Sequence, residues 1–138
     1  IAAEHARFGL PEVQRALLPF AGAMARLPRQ VPQAVALQLM LSGEAISAAE
    51  ALRVGLVNQV LPAADVLPAT LALAERMARH GPLAVRAVKR TVLAASGRPL
   101  HEAYALEDQA KAQVLASEDA REGPRAFMDK REPRYEGR

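Results

Sequence analysis

Hydrophobic positions recur mostly at helical spacing, and glycines and prolines cut them into segments. The stretch "PQAVALQLMLSG" places apolar residues at Val35, Leu39 and Met40, a helical repeat that Gly43 is suited to stop. In "ISAAEALRVG", Ser47 followed three residues later by Glu50 forms a capping box, in which hydroxyl and carboxylate satisfy backbone donors at a helix start. Gly55 closes that short helix, and "LVNQVLP" has the β-branched content and length of a strand ended by Pro62. Asp65 is placed to cap a further helix that takes Pro68 in its first turn and runs towards Gly81. Pro82 then opens "PLAVRAVKRTVLAAS", where Val85, Val88 and Val92 read as a core stripe, with Arg86, Lys89 and Arg90 elsewhere on the surface.

After the break at Gly97 to Pro99, "LHEAYALEDQAKAQVLAS" reads as a longer amphipathic helix. "EDAREGPRAFMDKR" reads as a last short one with Phe127 as its apolar anchor, and the tail "EPRYEGR" as loose. At the other end, "IAAEHARFGLPEVQRALLP" combines an extended segment around Phe8 with the turn signal Gly9, Leu10, Pro11. "PFAGAMARLPR", Pro19 to Arg29, is expected to hold a helix that stops before Pro28. The sum is a run of helices with at most two short strands, without internal repeat or long linker, and 138 residues suit one domain by default.

Composition sharpens this picture. Apolar residues make up 51% but aromatics only 4%, with no Trp, so the core is expected to be small and aliphatic and a strand sandwich is disfavoured. The net charge of +3 is spread along the chain without a basic arm, which speaks against nucleic-acid binding. The absence of cysteine excludes disulfides and thiolate metal sites and suits a reducing compartment. His5, His80 and His101 are far apart, with no second histidine at ligand spacing, so no metal is assigned. No apolar run approaches the roughly 20 residues of a membrane span, and no signal segment opens the chain, so a soluble cytoplasmic protein is expected.

One carboxylate invites a chemical question. Glu12 follows Pro11, a residue that restricts the backbone and so fixes a side chain's direction at a turn. It is either a solvated turn residue or one half of an acid/base pair. No phosphate loop, G-x-S-x-G elbow, zinc motif or dinucleotide fingerprint is present.

A resemblance extends the reading. "FGLPEV", "LLP", "RLPR", "LSGEAISAAEALRVGLVNQVLP", "GPLAVRAVK" and "SEDAREGPRAFMDKREPRYEG" occur in the order found in the C-terminal half of the enoyl-CoA hydratase/isomerase, or crotonase, superfamily. The family's habit of following an "LTG"-like helix end with I-x-A-x-E-A-x-x-x-G-L-V-N is closely met at Leu41 to Asn58. The resemblance covers essentially the whole chain. It implies an α/β fold, the crotonase-like spiral of β-β-α turns, with residues 1–62 ending the spiral and residues 63–138 forming the helical region that builds trimers or hexamers.

The resemblance further implies an enzyme acting on acyl-CoA thioesters, with coenzyme A as part of the substrate and no separate cofactor. The thioester carbonyl is then held by two backbone N–H groups while an enolate forms, and donors of this kind are commonly worth a few kcal/mol each, about 3. Hydration of an α,β-unsaturated thioester is the implied reaction. Glu12 matches the glutamate that exchanges the proton at the α-carbon, and Pro11 sits beside it. The family's other glutamate and both oxyanion segments lie upstream of what aligns with Ile1, so the chain reads as a fragment, inactive alone. Lys130 matches a lysine that approaches the coenzyme A phosphates, against the plain alternative of a helix-end lysine favoured by the dipole.

The chain departs from the family in one segment. Where hydratases carry P-G-x-G-G-T-Q-R-L, it has Pro19, Phe20, Ala21, Gly22, Ala23, Met24, Ala25, Arg26 and Leu27. Gly22 survives beside the substrate, whereas Phe20 replaces a glycine and is expected to narrow or reshape the acyl pocket. This segment and "RLPRQVP" resemble carnitinyl-type paralogues. An isomerase, a carnitinyl-CoA-type dehydratase and a non-catalytic helical assembly module therefore stand as alternatives.

Overall fold

A computed structural model describes all residues, Ile1–Arg138, and divides them into two compact units, Ile1–Leu71 and Ala72–Arg138. In the first, strands β1 (Ala2–Ala3) and β2 (Arg7–Phe8) precede a five-residue 3-10 turn, Pro11–Arg15. Helix α1 (Ala23–Arg26) continues into a 3-10 turn at Leu27–Arg29, followed by α2 (Gln33–Ser42), β3 (Ile46–Ser47), α3 (Ala48–Arg53) and β4 (Val60–Leu61). Helix α4 (Ala63–Ala78) contains the division between the units. The second unit carries α5 (Pro82–Ala95), α6 (Leu100–Leu115) and α7 (Glu118–Met128). No helix is long and apolar enough to cross a membrane.

Local signals account for most boundaries in the first unit. Helix α2 buries Ala36, Leu39 and Met40, neighbours on one helix face, and ends where Gly43 takes φ 66° and donates its N–H to the Leu39 carbonyl. Ser47 Oγ accepts the Glu50 N–H at 3.2 Å, as the capping box requires. The reciprocal half of the box is not made, because the Glu50 carboxylate pairs with Arg53 instead, with Nε at 2.8 Å. That hydrogen bond holds the Glu50 carboxyl below its usual range. The helix expected before Pro28 ends at Arg26, and a 3-10 turn carries the chain through Pro28 to Arg29.

Four two-residue strands form, not two. β1 and β4 pair in parallel, Ala2 opposite Val60, while β2 and β3 pair antiparallel, Arg7 opposite Ser47 and Phe8 opposite Ile46. The "LVNQVLP" strand shrinks to Val60–Leu61. The core cluster of the first unit consists of Val31, Ala36, Met40 and Val54, against which Leu10, Leu27, Val35, Ile46 and Leu56 pack, none of them aromatic.

Several expectations need correction from α4 onward. Helix α4 begins at Ala63, so Asp65 lies inside its first turn and does not cap it; the Asp65 N–H donates to the Pro62 carbonyl. Pro68 is consequently beyond that first turn, where it forgoes one intrahelical bond. Helices α5 and α6 pack on each other, but the contact buries Ala87, while Val88 and Val92 are 65% and 64% exposed. The stripe Val85, Val88, Val92 is thus an open apolar face of this chain and not its core. In α7 the buried apolar residue is Ala126, whereas Phe127 is 85% exposed and anchors nothing within the chain.

The tail is not loose. Ser117 accepts the Ala120 N–H to start α7, and the next buried residue, Asp119, receives the N–H groups of Glu136 at 2.7 Å and Gly137 at 2.9 Å. The Arg138 carbonyl accepts from Glu118 and Asp119 at the start of α7, whose first N–H groups have no intrahelical partners. Glu122 binds the Arg131 guanidinium through both oxygens, at 2.6 and 2.9 Å, and takes the Arg134 N–H. Arg131, followed by that backbone N–H, holds the Glu122 carboxyl down at about 2.

Candidate functional site

Glu12 is placed by a short segment tied at both ends. Upstream, the β2–β3 ladder aligns Phe8 with Ile46, and Arg7 Nη2 donates to the Ala45 carbonyl at 2.7 Å. Gly9 then passes so close to Ala45 that a Cβ on it would lie 2.9 Å from both Cα and Cβ of that residue. Only a glycine fits such an approach. Pro11 occupies the start of the 3-10 turn, where its fixed φ suits the geometry and its missing N–H costs nothing. Glu12 follows as the turn's second residue.

Downstream, the turn ends on Ala16 in the left-handed region at φ 56°, with the Leu17 N–H returning to the Glu12 carbonyl at 3.1 Å. Gln14 reaches across to the end of α2, donating through Nε2 to the Gly43 carbonyl at 2.9 Å. Within this frame the Glu12 Oε2 atom is buried and has no hydrogen-bond partner. Leaving a buried acceptor unsatisfied costs about 1–3 kcal/mol, and more when it is charged, so native chains keep few such atoms.

Phe20 and Gly22 lie at a second place in the same unit. A cavity of about 490 Å³ opens between β2 and α1, lined by Arg7, Phe8, Phe20, Ala21, Arg26 and Leu56 among others. Phe20 is in its wall and 64% exposed. Gly22 caps α1 at φ 82° directly after Ala21 at φ 56°, so two consecutive left-handed residues turn the chain beneath the cavity wall. Neither Glu12 nor Gly22 lines this cavity.

Lys130 belongs to the second unit. It follows α7 with φ 53°, exposed, its N–H bonded to the Phe127 carbonyl at 3.2 Å. No three histidine or acidic side chains gather into a group that would hold a metal ion.

These residues can be set beside known proteins. The family description enoyl-CoA hydratase/isomerase matches residues 1–138, the whole chain. The chain belongs to the enoyl-CoA hydratase/isomerase family. Enoyl-CoA hydratase EchA19 of Mycobacterium tuberculosis is 41% identical over 138 residues, all of this chain and 52% of that protein. The 2,3-dehydroadipyl-CoA hydratase of Escherichia coli is 42% identical over all of this chain and 54% of its own length. Carnitinyl-CoA dehydratase of Proteus mirabilis is 38% identical, covering 100% of this chain and 54% of that one. A crystal structure of enoyl-CoA hydratase from Mycobacterium tuberculosis superimposes with a TM-score of 0.94 at 38% identity, over 100% of this chain and 55% of that one. The crotonase-like fold is therefore shown, and the chain spans about half the length of the curated relatives it matches.

The family resemblance points to Glu12, Pro11, Phe20, Gly22 and Lys130. The structure places Pro11 and Glu12 on one turn and Phe20 in the wall of a cavity whose lining includes neither Glu12 nor Gly22. It adds Arg7, Gly9 and Gln14, which hold the Glu12 turn against Ala45 and Gly43. No local pattern marks Gln14, because its partner lies 29 residues further along the chain.

Proposed function

We propose that the whole protein is an enoyl-CoA hydratase-like enzyme that adds water to an α,β-unsaturated acyl-CoA thioester, with Glu12 exchanging the proton at the α-carbon. The observation that carries this reading is the buried, unpartnered Oε2 of Glu12 on a turn fixed at both ends. A carboxylate so placed is spared competition from internal hydrogen bonds and is free to meet a carbon acid. Proton transfer of this kind contributes roughly 10²–10⁴-fold when the group is held within hydrogen-bond reach of the reacting atom.

The remaining parts of the reaction fall outside this chain in our reading. Coverage of about half of each relative supports a protein in which another segment supplies the second glutamate and the two N–H donors that stabilise the enolate oxygen. Coenzyme A enters as part of the substrate, with Lys130 meeting its phosphates and Phe20 trimming the space for the acyl group. The open face of α5, with Val88, Val92 and Leu93 exposed, supports assembly into a homotrimer or a hexamer.

A second reading is favoured by one observation. The segment Phe20 to Ala25 departs from the hydratase pattern, and a relative matched over all of this chain is named carnitinyl-CoA dehydratase. Dehydration of a hydroxyacyl thioester, or double-bond isomerisation, uses the same α-proton chemistry at Glu12. Turnover of crotonyl-CoA by the whole protein, followed as loss of the enoyl thioester absorbance, separates these cases. Hydration by the wild type and its loss in Glu12→Gln is the expected result. A Glu12→Gln protein with undiminished turnover refutes the role given to Glu12.

A further inference from the structure

We infer that Gln14 is a positioning residue for Glu12, acting through the left-handed end of α2; the inference rests on the acid/base reading of Glu12 given above. A 3-10 turn of five residues is held weakly by its own hydrogen bonds, whose geometry is poorer than that of an α-helix. The turn also ends on Ala16 in the left-handed region, which costs about 1–2 kcal/mol for a residue with a Cβ. Since no group within the chain bonds the Glu12 Oε2, the direction of the carboxylate depends on whatever holds the turn's backbone.

Gln14 supplies that hold on the downstream side. Its Nε2 donates to the Gly43 carbonyl at 2.9 Å and lies 3.5 Å from the Ser42 carbonyl. Both acceptors stand at the C-terminus of α2, where a helix leaves its last carbonyls without intrahelical partners. A side-chain NH₂ has two donors and so matches a pair of acceptors that a carboxylate would repel. The fit is steric as well: a Cβ on Gly43 would fall 2.8 Å from Gln14 Cγ and 2.9 Å from Nε2. The glycine that lets α2 end in the left-handed region also makes room for the amide that fastens the Glu12 turn. Upstream the same turn is fixed by Gly9 against Ala45 and by Leu10 packed on the core, so Gln14 is its attachment on the downstream side.

The test compares Gln14→Glu and Gln14→Ala with Glu12→Gln in the whole protein. Gln14→Glu keeps the side chain's size and removes the donors, which makes it informative should Gln14→Ala fold poorly. With crotonyl-CoA as the probe, kcat and KM are measured beside the rate at which solvent deuterium enters the α-position of the thioester. Loosening the turn is expected to lower kcat and α-exchange together by about 10–100-fold, the scale that a displacement of about 1 Å produces, with KM within about twofold. Wild-type kcat in both Gln14 variants, while Glu12→Gln is inactive, overturns the inference and leaves the role of Glu12 standing. Parallel changes in kcat and KM that track a lowered melting temperature make Gln14 merely structural and overturn it equally. Full α-exchange in Glu12→Gln removes the reading on which the inference rests.

Discussion

Adding a single methyl group at Gly9, whose backbone passes close against Ala45, is expected to disturb the Glu12 turn. In Gly9→Ala the new Cβ would sit 2.9 Å from Ala45 Cα and Cβ, and neither is the far end of a flexible side chain. Carbon atoms pack comfortably at about 3.5–4.0 Å, so the two segments must part by roughly 0.5–1 Å. Overpacking of this sort typically costs about 1–3 kcal/mol. At about 2–4 °C per kcal/mol for a protein of this size class, the melting temperature of the whole protein should fall by roughly 2–12 °C. Because the displaced segment leads straight into Pro11 and Glu12, kcat should also fall, by up to about 10²-fold if the carboxylate moves the full distance. Thermal unfolding and crotonyl-CoA turnover give both numbers from one preparation. Ala45→Gly, combined with Gly9→Ala, removes one of the two close contacts and should recover part of each loss. A Gly9→Ala protein that melts and turns over like the wild type would show that the approach to Ala45 is not what places Glu12.

Two further expectations concern the clasp on the tail. Asp119→Ala removes the acceptor of two charge-assisted hydrogen bonds, from the N–H groups of Glu136 and Gly137, and should destabilise the protein by about 2–4 kcal/mol. Amide exchange at Glu136 and Gly137 should accelerate in that variant, and unchanged protection would count against the clasp. Glu122, held at about 2 when folded, lies below the ordinary range of a free carboxyl. Its contribution is therefore fully present above about pH 4.5 and is lost as the pH falls through about 2. Protection of the Arg134 amide, which bonds Glu122, should persist at pH 4 and disappear near pH 2; early loss near pH 4.5 would contradict the Arg131 pairing.

What was legible in the sequence was what local chemistry decides. Gly43, Ser47 and Pro82 sit at their helix boundaries because a left-handed end, a hydroxyl cap and a missing N–H each act within a few residues. Two-residue strands such as Ala2–Ala3 and Ile46–Ser47 are too short to show a period of two, so nothing in the residues announced them. The periodicity of Val85, Val88 and Val92 marked an apolar face but carried no information about what covers it. Phe127 failed as an anchor for a related reason, since the helix turns the small neighbour Ala126 inward. The tail reads as loose because its charges and its proline, Pro133, resemble a frayed end, whereas its fastening lies 17 and 18 residues upstream at Asp119. For the candidate site, the resemblance points to Glu12, but the burial of its Oε2 and the reach of Gln14 to Gly43 are products of tertiary folding.

The long spans joined by the first unit bear on the order in which the protein assembles. Phe8 must find Ile46, Ala2 must find Val60, and Gln14 must find Gly43, all across dozens of intervening residues. Each pairing meets a closure entropy before any contact rewards it, whereas α5 and α6, joined by a few residues, need only local encounters. Helices form within about a microsecond, so the second unit can be structured while the Glu12 turn is still unset. During synthesis the turn emerges first and must wait for Ser42 to Ser47 before its carboxylate acquires a direction. In a refolding experiment on the whole protein, helical signal should therefore return ahead of turnover.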